Sequence, residues 1–98
     1  MGDSTQDNVV YVLGSGDALR YITYVGWTND LARRLAQHNS GKGARSTRGR
    51  SWIVLHVESF ATREQAMSRE WHLKRDRAFR RQLVRQHAGV AAKQTRKA

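Results

Sequence analysis

Two runs of β-branched and aromatic residues, Val9-Val10-Tyr11-Val12-Leu13 and Tyr21-Ile22-Thr23-Tyr24-Val25, lie so close together that they constrain the fold more than any other feature. Each is short and rich in strand-forming side chains, and each reads as a buried strand. Gly14-Ser15-Gly16-Asp17 between them is turn chemistry. A loop this short sets neighbouring strands antiparallel, so a β-hairpin is predicted. A turn centred near Asp17 and Ala18 places Tyr11 and Tyr24 opposite or diagonal to each other.

The rest of the chain alternates in type. Thr28 or Asn29 is expected to cap a helix that runs to about Asn39, with Asp30 in its first turn, Leu31 and Leu35 on its apolar stripe and Gly41 as its stop. Trp52-Ile53-Val54-Leu55-His56-Val57 reads as a third strand. Thr62-Arg63-Glu64-Gln65 fits the capping box that opens a helix, and no proline interrupts that helix before Leu83. Residues 1–7 and the basic stretch 86–98 lack periodicity and are expected to be disordered, leaving a folded domain over 8–85. The order is ββαβα, one α+β domain without internal repeats. Ninety-eight residues leave no room for a second domain. The absence of cysteine excludes disulfides, thiolate metal sites and cysteine nucleophiles. No apolar run approaches the ~20 residues needed to cross a bilayer, and the N-terminus fits neither a signal peptide nor a myristoylation signal. The expected location is the cytoplasm, with association to the nucleoid if the source is bacterial.

Charge identifies the partner class. The 18 Lys and Arg outnumber the 8 acids for a net +10, and 14 of the 18 are Arg, whose planar fork suits phosphate. Residues 1–40 are near neutral at −1, residues 41–68 carry +3 and residues 69–98 carry +8. That asymmetry is the footprint of a polyanion-binding protein. Lys42, Arg45, Arg48 and Arg50 share a glycine-rich loop without an acid and are candidate nucleic-acid contacts, with the basic residues beyond Phe79 extending the track. Trp27, Trp52 and Trp71 are expected in the core and are given no stacking role.

Several polar residues sit where apolar ones belong. At about 100° per residue, with Ala66 as zero, Leu73 falls near −20°, Glu70 near 40°, Lys74 near 80°, Met67 near 100° and Trp71 near 140°. Glu70 thus points out of the apolar arc, either as an i, i+4 partner of Lys74 or as a hard oxygen ligand for a divalent cation. Arg34 and His38, four residues apart, share one face of the first helix, near the sheet. Two tyrosines, an Arg–His pair and an inward Glu match the needs of phosphodiester hydrolysis: a group to activate water, cations for the developing charge, and a metal at the leaving or bridging oxygen.

Val9-Val10-Tyr11, followed by Tyr24-Val25-Gly26, resembles the paired motifs of the GIY-YIG nuclease superfamily, although the first motif lacks the glycine and isoleucine of the family name. Thr28-Asn29, Arg33-Arg34-Leu35 and His38-Asn39 are similar to the family's helix signature. The loop Lys42 to Arg50 resembles the small stand-alone members, and Glu64 to Trp71 resembles the metal-ligand helix. The likeness runs from about Val9 to Arg77. It implies a three-stranded antiparallel sheet flanked by helices, and a DNA endonuclease dependent on Mg²⁺ or Mn²⁺, serving repair or recombination. Carried over by position, Tyr11 is the candidate general base or water-positioning group, and Tyr24 contacts the scissile phosphate or orients the water. Arg34 binds the phosphate, His38 assists proton handling, Glu70 holds the metal and Gly26 permits close backbone approach; Lys74, as the i, i+4 partner of Glu70, is expected to be structural at the site. The likeness includes no separate DNA-targeting domain, so a protein partner for targeting is a further expectation. The alternative is a non-catalytic nucleic-acid-binding module that has kept the fold. Metal and arginine charge beside Tyr11 are expected to lower its pKa from about 10 and give an alkaline optimum.

Overall fold

The computed structural model describes residues 8–16 and 20–96. The N-terminal segment 1–7 and the hairpin turn at Asp17 and Ala18 lie outside the described residues. Strand β1 (Asn8–Gly16) pairs antiparallel with β2 (Tyr21–Thr28) on one edge and with β3 (Ile53–Phe60) on the other, so the sheet order is β2-β1-β3. The three-stranded antiparallel sheet expected from the sequence is therefore present. Because β1 is central, both its faces are covered, which is why its sequence is a continuous apolar run instead of an alternating one. Val10 through Leu13 are at most 1% exposed.

The pleat divides these side chains between two clusters. Tyr11 and Leu13 point to one face and pack with Trp52, Ile22, Tyr24 and the Leu31/Leu35 stripe of helix α1 (Leu31–Asn39). Val10 and Val12 point to the other and pack with Val25 on β2 and with Ala66, Leu73 and Leu83 from the two later helices. Between Val12 and Leu13 the pairing with β3 shifts by one residue, from His56 to Val54. The extra residue, Leu55, turns into the second cluster, as a bulge allows.

Two helix boundaries differ from expectation for local reasons. The N-cap of α1 is Asp30 rather than Thr28 or Asn29: its carboxylate accepts from the Arg33 N–H at 3.2 Å, while Thr28 Oγ1 accepts from the Asp30 N–H at 3.1 Å. The expected unbroken second helix is two helices, α2 (Arg63–Arg75) and α3 (Arg77–Arg96), hinged at Asp76. No proline is needed for the break. Asp76 donates its N–H to the Leu73 carbonyl at 3.1 Å, and its carboxylate accepts from Phe79 N at 3.1 Å, so one residue closes α2 and caps α3. Arg80 seals the corner by donating to the carbonyls of Leu73 and Lys74, both at 2.7 Å, and to Thr23 Oγ1 on β2 at 3.2 Å. Helical backbone continues to Arg96, where a disordered tail from residue 86 was expected.

The capping box at the start of α2 is formed as anticipated, with Gln65 N donating to Thr62 Oγ1 at 3.1 Å and Thr62 N donating to Gln65 Oε1 at 3.2 Å. The rotation of α2 is set by Arg69, which makes a fork with both carboxylate oxygens of Glu58 on β3 at 2.9 and 3.0 Å. That clamp holds the Glu58 carboxyl below the usual range, with His56 assisting at 2.7 Å. With Arg69 fixed toward β3, the next residue, Glu70, lies near enough to Tyr11 for its charge to act on the phenol.

Candidate active site

The residues singled out in the sequence converge on the face of β1 covered by α1. Tyr11 is 1% exposed at the centre of the sheet. Its cross-strand partner is Gly26, and Tyr24 lies diagonal to it, opposite Leu13, with ring centroids 6.3 Å apart. Gly26 is there because the phenol lies across it: a Cβ at that position would sit 2.5 Å from Tyr11 Oη. No larger side chain fits without moving the tyrosine.

His38 comes down onto Tyr11 from the last turn of α1. It is completely buried. Its Nε2 is 2.9 Å from Tyr11 Oη and its Nδ1 is 2.9 Å from Thr47 Oγ1. Hydrogen-bond accounting assigns the protons. The Thr47 hydroxyl donates to the Ala44 carbonyl at 2.7 Å, so it accepts from His38 Nδ1–H. Nε2 is then the bare nitrogen and accepts the Tyr11 proton. The chain Tyr11–His38–Thr47–Ala44 is thus a directed relay, ending on a backbone carbonyl.

Thr47 is a site residue that neither periodicity nor charge reveals. It lies in a short 3₁₀ turn (Arg45–Thr47) inside the basic loop and is wholly buried, whereas Lys42, Arg45 and Arg48 around it are exposed and Arg50 is half-buried. The only signal is an uncharged hydroxyl among cations. The loop is held to the site at three points. A Cβ on Gly43 would meet His38 Nδ1 at 2.5 Å. Trp52 Nε1 donates to the Thr47 carbonyl at 2.8 Å. Asn39 exchanges two hydrogen bonds with the Trp52 backbone, at 2.6 and 3.1 Å. The cationic loop is therefore attached directly to the buried histidine.

Arg34, half-buried one turn before His38, donates to Gln37 Oε1 at 2.9 Å and lies near enough to the Tyr11 phenol for its guanidinium to favour the ionised form. Glu70 approaches from α2, near enough for its charge to act on Tyr11. Its carboxylate, 21% exposed, pairs with Lys74 Nζ at 3.4 Å. The ion pair foreseen as one alternative is therefore present, and it leaves the carboxylate at the edge of the site. Of the three tryptophans, Trp52 is core at 3% exposure and Trp27 packs partly buried against the second cluster. Trp71 overturns the core expectation at 54% exposure, with Arg75 stacked on its ring at 3.7 Å.

Burial decides the protonation of the central pair. Desolvation pushes the Tyr11 phenol up to about 12 and outweighs the lowering by the nearby Arg34 guanidinium, with the Tyr24 and Glu70 charges adding to the rise. The expected lowering of Tyr11 is thus reversed where only the protein's own charges act. Burial, followed by the Arg34 charge, holds His38 below 6.5. Both groups are neutral at pH 7. The folded state keeps the Tyr11 proton where the unfolded chain loses it, so stability tied to Tyr11 is complete below pH 10 and disappears as pH rises to about 12. That loss is roughly 3 kcal/mol. His38 acts in the opposite sense: the unfolded chain gains a proton below 6.5 that the fold resists, so stability falls on acidification from there. The stability difference between wild type and Tyr11→Phe should be constant from about pH 7 to 9.5 and shrink above pH 10. Denaturant titrations at each pH check it; a difference that stays constant to pH 11.5 contradicts the buried phenol.

Comparison with known proteins finds relatives of this sequence. A family model described as the GIY-YIG catalytic domain matches residues 8–83, which bears out the resemblance drawn from the two tyrosine motifs. The chain is similar to a UPF0213 protein of Halobacterium salinarum, 46% identical over 66% of this chain and 82% of the relative. It is likewise similar to one of Natronomonas pharaonis, 40% identical over 85% of this chain and 96% of the relative. A third, from Streptococcus pneumoniae serotype 4, is 49% identical over 67% of this chain and 65% of the relative. No solved structure matches.

Proposed function

Because the chain belongs to the GIY-YIG catalytic-domain family, we propose that it is a divalent-metal-dependent endonuclease that hydrolyses phosphodiester bonds in DNA. The observation that carries this reading is the buried Tyr11–His38 hydrogen bond, with the charges of Arg34 and Glu70 near enough to act on the same phenol. Tyr11 Oη orients the attacking water and takes its proton while passing its own to His38 Nε2, so no free phenolate is required at neutral pH. Arg34 meets the charge that develops on the phosphate, and Tyr24 lines the approach beside it. Among the described residues no three His, Asp or Glu side chains form a metal cluster. A partly exposed lone carboxylate still fits Mg²⁺, which keeps several waters and is commonly held by one or two carboxylates plus substrate phosphate oxygens. Glu70 would hold it, and the ion would neutralise charge at the leaving oxygen.

The test is a panel of labelled plasmid, duplex, single-stranded, nicked and branched DNA, the last two being forms met in repair and recombination, each with Mg²⁺, Mn²⁺ or chelator. Metal-dependent cleavage of at least one form is expected. Binding without cleavage under every condition points to the non-catalytic module instead. Among the described residues no helix is long and apolar enough to cross a membrane, and we assign the chain to the cytoplasm, at the nucleoid if it is bacterial.

The same reading assigns non-specific binding to Lys42, Arg45, Arg48 and Arg50. Changing all four to Gln should weaken binding to every DNA sequence about equally, since phosphate contacts carry no base information. The log K against log salt slope should become shallower by roughly 0.9 per lost contact, about 3–4 in all on duplex. An unchanged slope moves the footprint to α3.

A further inference from the structure

The flank of α2 that carries Glu70 also carries side chains that the hydrolytic reading leaves unused. Met67 is 43% exposed and Trp71, one turn later, is 54% exposed, the two largest departures from the core expected of this helix. Trp71 is not loose. The Arg75 guanidinium lies 3.7 Å over its ring and donates to the Trp71 carbonyl at 2.9 Å, and the His72 ring meets it edge-on at 5.0 Å. An exposed indole held rigid in this way is a preformed platform. Its position is specific too, because adjacent residues on a helix are about 100° apart with a rise of about 1.5 Å, so Trp71 stands just around the helix from Glu70.

From these contacts we infer that Trp71, backed by Arg75, stacks an unpaired nucleobase of the substrate strand next to the scissile phosphate. The inference rests on the nuclease reading and specifies its substrate class: DNA with unpaired bases at the cleavage site. The surrounding chemistry selects a base over a protein surface. Protein-interface cores are depleted of charge, whereas Met67 and Trp71 are interleaved with Lys74, Arg75 and His72. Aromatic faces among cations are the device by which single strands are held, with sugar-phosphate on the charges and bases on the rings. A fully paired duplex has no base face to offer, so the platform discriminates by strand state and not by sequence.

The test measures binding by fluorescence anisotropy in chelator, where no cleavage interferes. The probes are a labelled single-stranded 12-mer, the same strand with abasic sites throughout its centre, and a blunt duplex. Trp71→Ala should weaken binding of the normal single strand by roughly 5- to 150-fold, the range for losing one stacked base, and Trp71→Phe by much less. Both variants should bind the abasic strand and the blunt duplex as wild type does. Equal losses on all three probes, or no loss on any, overturn the platform while leaving the nuclease reading intact. Failure of wild type to bind any probe removes both. Because Trp71 is exposed, thermal melts of the variants should match wild type, and a folded Trp71→Phe protein keeps the comparison decisive even if Trp71→Ala melts early.

Discussion

Tyr11→Phe should slow single-turnover cleavage by roughly 10²- to 10⁴-fold, the contribution of a positioned proton-transfer group, while DNA affinity stays within a few-fold of wild type. The substitution deletes one oxygen and leaves the ring to fill the same space in a cluster where Tyr11 is 1% exposed. It also strands a neighbour. His38 Nε2 accepts from that hydroxyl at 2.9 Å and is wholly buried, so the variant carries an unsatisfied acceptor costing about 1–3 kcal/mol of stability. Cleavage must therefore be compared at equal folded fraction. Thr47→Val is the informative companion. It removes the acceptor for His38 Nδ1–H, freeing the ring to adopt the other tautomer, in which Nε2 carries the proton and has nothing to accept. Its loss of rate should resemble that of Tyr11→Phe, Thr47→Ser should restore it, and the ¹⁵N shifts of the imidazole should report the changed tautomer. A Tyr11→Phe protein that keeps more than about a tenth of its rate assigns water activation elsewhere.

The second large effect belongs to Glu70. Glu70→Gln should lower metal-dependent cleavage by on the order of 10³-fold, as expected for loss of an electrostatic group at the reacting centre, with little change in DNA affinity. The ion pair with Lys74 supplies the control. At 3.4 Å, with Lys74 52% exposed, it contributes at most about 1 kcal/mol. Lys74→Gln should thus melt close to wild type and retain cleavage, while Glu70→Gln melts similarly and does not. If Glu70 serves only Lys74, the two variants will lose stability and activity together. Melts beside rate measurements decide between them.

What could be read in advance followed from short-range rules. The hairpin is visible because two apolar runs flank turn residues, and the capping box at Thr62 because its partners are three residues apart. The inward lean of Glu70 came from helical periodicity. What could not be read depends on contacts across space. The break at Asp76 comes from one carboxylate choosing the backbone over solvent, and Arg80 reaching back to β2 makes that choice permanent. The burial of His38 depends on a loop folding over it, with Gly43 and Thr47 five and nine residues away in sequence and in no register with the helix. Trp71 departs from the core expectation because periodicity gives direction but not the width of what a helix covers. A sheet with three strands ends before it reaches an angle near 140°.

The order β2-β1-β3 also sets how the molecule can move. Tyr11 belongs to the one strand hydrogen-bonded along both edges and packed on both faces. Its amide should exchange with solvent only through global unfolding. The exposed cations at 42, 45 and 48 stand on a loop tied to the buried His38 through Gly43 and Thr47. A phosphodiester delivered to Tyr11 meets an unyielding floor under a tethered clasp, so the distortion needed to bring it into line must come from the strand itself.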